Sequence, residues 1–362
     1  MTTEAIRLLD LGTVAPLRSQ TIFHAVGYAL RADTPDTILL VSPDGPYVSI
    51  GRHQDVDREV DREYCAANGY PVYRREIGGG AVYLDGNQLF TQWIFAADHL
   101  PATVEERFTV YIGALVNAYR ALGIAADYRP INDVHVAGRK IGGTGAARMG
   151  DAEVVVGSLM FDFDIDTMSK VLRVPSEKFR DKVYQSLAEY MTTMRRELGT
   201  PPPREEVVAA YVEACSAILE RPVVPGELRP DEIALAAEFD ERFASREWLE
   251  EGGGLHRVGV KIHEGVSVVE GAHKAAGGLI RCVAVLRDGR IDDISLTGDF
   301  TARPTTVPTD LDGRLIGAEI TEAELSGRVS DYYAEVRPET PGVTADDWVK
   351  AVLATITAPV PA

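Results

Sequence analysis

Two short runs hold the residues best suited to gripping an anion. The first, Arg74-Arg75-Glu76-Ile77-Gly78-Gly79-Gly80-Ala81-Val82-Tyr83, sets three glycines between a basic pair and a β-prone stretch. Glycine lets a backbone approach a ligand closely and turn its amides toward negative charge. Arginine adds a planar, permanently charged fork for carboxylate or phosphate. A flexible turn carries the same triple glycine, so the run alone leaves both readings open. The second run is Asn132-Asp133-Val134-His135-Val136-Ala137-Gly138-Arg139-Lys140-Ile141-Gly142-Gly143. Here a lysine on a short strand follows a tight turn and precedes more glycines. A fixed ammonium at Lys140 could neutralise a carboxylate and an α-phosphate as they meet, which is the main electrostatic obstacle to forming an acyl adenylate. The alternative is a solvated lysine at a hairpin.

The elements that must position these runs are legible from periodicity. Apolar spacing predicts helices over Pro16 to Ala32, Val56 to Asn68 and Val104 to Leu122, then over Ile165 to Leu172, Ser176 to Glu197 and Arg204 to Leu219. Thr37 to Ile50 reads as a hairpin turning at Pro43-Asp44-Gly45, and Ala81 to Ala96 as a second turning at Asp85-Gly86-Asn87. Asp133 to Val136, Lys140-Ile141 and Val154 to Phe163 read as strands broken by the glycine-rich 142–145. Asp231 to Leu249 is helical. Beyond Gly252-Gly253-Gly254, three strands (Leu255 to Val269, Gly278 to Leu286, Arg290 to Thr297) and two helices (Glu322 to Tyr333, Ala345 to Ile356) make a small α+β unit. Trp93 and Phe95 alternate on a strand, where they either line an apolar channel or pack in the core.

The chain of 362 residues is 45% hydrophobic and 25% charged, an ordinary globular composition whose length favours two domains. Its net charge of -18 argues against nucleic acid or anionic membrane as a partner, since both need clustered Lys and Arg. No run of about 18 apolar residues is present to span a membrane, and Met1 to Leu11 has neither a signal peptide's apolar core nor a basic transit composition. Cys65, Cys215 and Cys282 are scattered and lack metal-ligand spacing, which reads as buried, reduced thiols in a cytoplasm. His53 and His135, with no carboxylate at fixed spacing, read as structural.

In order and spacing, Gly51-Arg52-His53-Gln54, Arg74-Arg75 with Gly78 to Tyr83, Asn87, and Asn132-Asp133 with Gly138-Arg139-Lys140-Ile141 resemble the lipoate-protein ligase family. His273-Lys274-Ala275 within Gly271 to Gly278, and Thr297-Gly298-Asp299-Phe300, resemble that family's C-terminal accessory domain. The resemblance implies an α/β fold, a mixed sheet of biotin/lipoate protein ligase type packed with helices. The catalytic domain would cover residues 1–250 and a small α+β accessory domain residues 255–362, with Gly252-Gly253-Gly254 as the hinge.

The reaction implied is the activation of lipoate by ATP to lipoyl-AMP, then transfer to a lysine of a lipoyl carrier domain. That carrier would be a dehydrogenase-complex acyltransferase subunit, a glycine cleavage H protein type or a specialised lipoyl carrier. Lys140 would be the catalytic residue and Arg75 would hold the phosphates. Gly78, Gly79, Gly80, Ala81, Val82, Asn87 and Gly142 would line the adenylate, and Asp133 would bind the phosphates through Mg2+. The rival readings are an octanoyl or lipoyl transferase drawing on an acyl carrier, and a carrier- or adenylate-binding protein without catalysis. A transferase of that fold needs a cysteine beside the pocket, and none stands at Asp151 to Glu153. Four positions depart from the family pattern: Ile77 for Ser or Thr, Leu84 for His, Gly142 for Ser, and Val156 for His. Each removes a hydrogen-bonding group.

Overall fold

The structure, a computed structural model, describes residues 4–174, 176–251 and 266–357. In chain order its elements are β1 (Ile6–Val14), α1 (Pro16–Tyr28), β2 (Thr37–Pro43), β3 (Tyr47–Ile50), α2 (Val56–Glu59), α3 (Arg62–Ala67), β4 (Val72–Arg74), β5 (Val82–Leu84), β6 (Gln88–Ala96) and α4 (Val104–Ala121). There follow β7 (Ala126–Arg129), β8 (Asp133–Val136), β9 (Arg139–Gly143), β10 (Gly145–Met149), β11 (Ala152–Met160), α5 (Ile165–Val171), α6 (Glu177–Tyr190), α7 (Met194–Leu198), α8 (Arg204–Leu219), β12 (Val223–Pro225), α9 (Pro230–Ala244) and α10 (Arg246–Glu250). The last are β13 (Val266–Ala275), β14 (Gly278–Arg287), β15 (Arg290–Gly298), α11 (Val307–Leu315), α12 (Glu322–Val336) and α13 (Ala345–Thr357). No described helix is long and apolar enough to cross a membrane.

Two compact units emerge. One comprises Met1–Ser49, Val60–Arg75 and Val82–Leu249; the other comprises Ile50–Glu59, Glu76–Ala81 and Glu250–Ala362. The hinge expected at Gly252-Gly253-Gly254 lies outside the described residues.

The first unit is built on a mixed six-stranded sheet of order β10-β11-β6-β2-β1-β12, with β1 parallel to β2 and β12 and the other pairs antiparallel. Two small sheets, β4-β3-β5 and β7-β8-β9, accompany it. Both expected hairpins are corrected here. The strands form, but β2 pairs with β6 in the main sheet, while β3 and β5 pair with each other elsewhere. The reason is burial: every residue of β2 is buried, so it needs neighbours on both edges and cannot end the sheet in a two-stranded hairpin. In the glycine-rich 142–145, Gly142 and Gly143 end β9 and Gly145 opens β10, so that the break between the strands is Thr144 alone.

One face of the sheet carries the core. Helix α4 starts in a Thr103/Glu106 capping box, a motif that stabilises a helix by about 1 kcal/mol, and buries Phe108, Tyr111, Ile112, Leu115 and Tyr119. These pack with Trp93, Phe95, Val155 and Leu159 from the sheet and with Val207, Tyr211 and Cys215 of α8. Trp93 and Phe95 are fully buried in this layer, so core packing is their role. Each such side chain contributes roughly 1.5–3 kcal/mol by leaving water. Arg107 and Glu153 meet across this layer at 2.6 Å, nearly fully buried, so each satisfies a charge the other would strand.

The second unit sets the antiparallel sheet β13-β14-β15 against α11, α12 and α13. Its core holds Phe300, Tyr332 and Trp348, with Phe300 edge-on to Trp348 at 4.8 Å. The β14–β15 turn places Asp288 and Gly289 at φ 51° and 80°, the positive-φ pair a two-residue hairpin demands.

Candidate functional site

Lys140 sits on a hairpin designed by its turn. Ala137 and Gly138 both take positive φ (48° and 82°), which reverses the chain in two residues and sets His135 opposite Lys140. A bulge between Val134 and His135 shifts the register, so that Asp133 opposes Gly143. The Lys140 Nζ then lies 2.7 Å from Asp133 Oδ1, with the two side chains 27% and 20% exposed. The ammonium is thus held in place yet open to a ligand.

Gly143 makes room for it. A Cβ at that position would stand 2.8 Å from the lysine Nζ and 3.0 Å from its Cε. The backbone of Lys140 is tied as well, its carbonyl accepting the Thr192 amide at 2.8 Å. The remaining Asp133 oxygen accepts Tyr190 Oη at 3.3 Å, and that same Oη lies 3.4 Å from His135 Nε2. Burial and the Asp133 charge push the Tyr190 phenol up. His135 is buried, its ring edge-on to Tyr190, and its Nδ1 has no hydrogen-bond partner among the described residues. His135, structural by its sequence context, thus adjoins the Lys140 ion pair, together with Tyr190 and Gly143. Tyr190 is 50 residues from Lys140 with no motif around it, whereas the run of two glycines after Lys140 was a usable signal.

Gly142 is buried, and a Cβ there would sit 3.2 Å from the Ser158 carbonyl. A serine at this position would therefore crowd β11. Asn87 is exposed on the turn between β5 and β6, its amide directed to Asp85 at 3.2 Å and its carbonyl accepting Phe161 N at 2.9 Å. Since Gly142 faces Ser158 and Asn87 bonds Phe161, the Lys140 strand and the Asn87 turn meet the same end of β11.

The two arginines of the first run separate. Arg74 is fully buried and donates to the carbonyls of Trp248 and Leu249 at 2.7–3.2 Å, while the Trp248 indole donates back to the Arg74 carbonyl at 2.8 Å. It anchors α10 and has a structural role. Arg75 is partly exposed, donating to Ser49 O at 3.1 Å and Ser49 Oγ at 3.2 Å. Its crowded surroundings lower the guanidinium to about 10, which leaves it charged at neutral pH. Val82 pairs with Ser49 in register and so stands beside this arginine.

In the second unit, Gly78 and Gly79 meet protein backbone, while a Cβ on Gly80 would face the Asp299 side chain at 3.9–4.0 Å. A Cβ on Gly78 would lie 2.3 Å from Phe300 O, and one on Gly51 would lie 2.0 Å from Gly79 O. Gly79 takes φ 95° and its amide donates to Phe300 O at 3.3 Å. Close backbone approach, the property that suggested a ligand, here also serves to seat the run against Gly51 and Phe300. Ala81, which ends the run, is buried. His53 stacks on Phe300 at 5.1 Å, a packing role.

All three thiols are buried. Burial pushes Cys65 up to about 11 and Cys215 up to about 12, and pushes Cys282 higher still. None is poised as a thiolate. Among the described residues no group of three or more His, Cys, Asp or Glu side chains could cage a metal. A lone carboxylate at Asp133 fits Mg2+ only in the manner typical of nucleotide sites, where phosphate oxygens and water fill most of the shell.

Residues 20–216 match the family described as the lipoyl protein ligase A/B catalytic domain. The octanoyltransferase LipM of Kyrpidia tusciae is 29% identical over 266 residues, covering 67% of this chain and 97% of that protein. Lipoate-protein ligase A subunit 1 of Thermoplasma acidophilum is 33% identical over 213 residues, 56% of this chain and 79% of the relative. Among solved structures, that of a bipartite lipoate protein ligase and its E2 lipoyl domain from T. acidophilum superposes with TM-score 0.64 at 29% identity, over 71% of this chain and 99% of that one. Lipoate-protein ligase A bound with ATP superposes with TM-score 0.60 at 25% identity, over 68% and 99%. With its motifs in register, its family match spanning more than half the chain and its sheet shared with these structures, the chain belongs to the lipoyl protein ligase A/B catalytic domain family and has the biotin/lipoate ligase fold.

Proposed function

We propose that this protein is an ATP-dependent, adenylate-forming ligase that joins lipoate, or a related acid, to a lysine of a lipoyl carrier domain in the cytoplasm. The observation that carries this reading is the partly exposed Lys140 ammonium, held by Asp133 at 2.7 Å in a chain whose thiols are all buried. A ligase needs a fixed cation where carboxylate meets phosphate and needs no thiol. A thioester-forming transferase needs a reactive thiolate. ATP and a lipoyl domain appear with the similar solved structures and support the same choice of substrate and partner.

In the first step a carboxylate oxygen of the acid attacks the α-phosphorus and pyrophosphate leaves. Lys140 lies between the two negative groups, and Arg75 holds the phosphates. Val82, Asn87 and Gly142 line the adenylate. Asp133 is the carboxylate that would hold Mg2+, which neutralises phosphate charge when bound. In the second step the carrier lysine attacks the acyl carbonyl, loses a proton, and AMP departs with the former carboxylate oxygen. Residues 255–362 serve as the accessory domain. Incubating a lipoyl carrier domain with lipoate, ATP and Mg2+ and weighing it by mass spectrometry tests the reading: the lipoyl increment is expected with wild type and not with Lys140→Ala. Equal labelling by the variant removes Lys140 from the reaction.

The likeness to LipM favours one second reading, transfer of an octanoyl group without ATP. Labelling that proceeds from an acyl carrier protein in the absence of ATP would establish it.

A further inference from the structure

The face of β6 turned away from the core carries two glutamines. Gln88, Phe90, Gln92 and Ile94 alternate with Leu89, Trp93 and Phe95, which belong to the core beneath α4. Gln88 and Gln92 are only 1% and 3% exposed, yet Gln88 Nε2 and Gln92 Oε1 find no hydrogen-bond partner among the described residues. A buried amide atom left unpaired is unfavourable, and native proteins rarely tolerate it without a ligand or water in attendance.

Their surroundings place them within reach of Lys140. Helix α1 covers the Ile94 end of this face, since a Cβ on Gly27 would touch Val154, the register partner of Ile94. At the other end Gly142, two residues after Lys140, abuts the Ser158 carbonyl, and Ser158 pairs with Phe90 between the two glutamines. Of the main sheet, β11 is thus the strand that stands between the lysine strand and β6. Gln92 also pairs in register with Val156, so the polar side chain at this level of the strand pair is the glutamine.

We propose that Gln92, assisted by Gln88, selects an acid whose acyl chain bears a hydrogen-bonding group, in preference to a plain hydrocarbon acid. This rests on the adenylate-forming reading and names its substrate class. A methylene chain would leave Gln88 Nε2 and Gln92 Oε1 unpaired, whereas a hydroxyl on the chain would donate to Gln92 Oε1 or accept from Gln88 Nε2, and a carbonyl would pair Gln88 alone.

The test compares octanoate with its singly hydroxylated isomers, using ATP, Mg2+ and the full-length protein, by pyrophosphate release. Wild type is expected to prefer at least one hydroxylated isomer by about tenfold in kcat/KM. Gln92→Leu should bring that ratio to within about twofold, largely by improving octanoate, and Gln88→Leu should move it the same way. Because the ratio is taken within one protein, partial loss of folded material cancels. Wild type using octanoate as well as or better than every isomer overturns the proposal and leaves water as the occupant. So does a ratio untouched by both variants. If no acid supports pyrophosphate release, the ligase reading fails on its own, and calorimetric binding of the same acids to the same variants decides the glutamines by the same ratio.

Discussion

Replacing Gly143 by alanine would displace one functional group and disturb little else. The added methyl would lie 2.8 Å from Lys140 Nζ and 3.0 Å from Cε, while the nearest other atom, Asp133 Oδ1, is at ordinary contact distance of 3.6 Å. Non-bonded atoms prefer about 3.5–4.0 Å, so the ammonium must retreat by roughly 0.7–1.2 Å. Gly143 does not take positive φ, and the colliding atoms end a flexible side chain, so the backbone has no reason to move. Stability should change by no more than about 0.5 kcal/mol. A misplacement of about 1 Å at the reacting centre costs on the order of 10²-fold in rate, and that is the expected loss in pyrophosphate release with lipoate and ATP. The control is the melting curve of the same variant, which separates a displaced ammonium from a lost fold. If Gly143→Ala melts normally and keeps the full rate while Lys140→Ala is inactive, the position set by this contact is not what catalysis depends on.

Two further outcomes follow from the same geometry. Cys65→Ala and Cys215→Ala should each retain carrier labelling within about twofold after correction for folded protein, because neither thiol is available as a thiolate. Abolished labelling in a folded Cys65→Ala protein would point to a thioester route. In the second unit, burial pushes Asp312 up to about 8 against 3.8 for a free aspartate, although its carboxylate accepts the Leu296 amide at 3.0 Å. The folded state therefore holds a proton that the unfolded chain has released, and stability drains as pH rises from about 4 to about 8. Asp312→Asn cannot ionise, so its melting temperature relative to wild type should climb between about pH 5 and pH 8. A difference that stays flat across that range would show that Asp312 ionises normally in the fold.

Local chemistry in the sequence determined a good deal. The helices over Val104 to Leu122 and Arg204 to Leu219 follow from one-sided apolar spacing and match α4 and α8 within a residue. The tight turn before Lys140 follows from Gly138, which takes φ 82° at no steric cost, whereas the positive φ of Ala137 (48°) is not favoured by its residue type. Family membership followed from glycines, arginines and Asn132-Asp133 standing in register, which needs no coordinates.

What the sequence left undecided was partnership. β2 and β3 look like a hairpin because a turn joins them, yet the pairing of β2 with β6 is a long-range choice fixed by burial on both faces. Arg74 and Arg75 are neighbours of equal charge, and only packing assigned one to the Trp248 and Leu249 carbonyls and the other to Ser49. Lys140 was a candidate by type. Its ion pair with Asp133, the space left by Gly143 and the contact of Tyr190 with the same carboxylate depend on a bulge and on a helix ending 50 residues away. Such contacts join residues distant along the chain, and no local pattern encodes them.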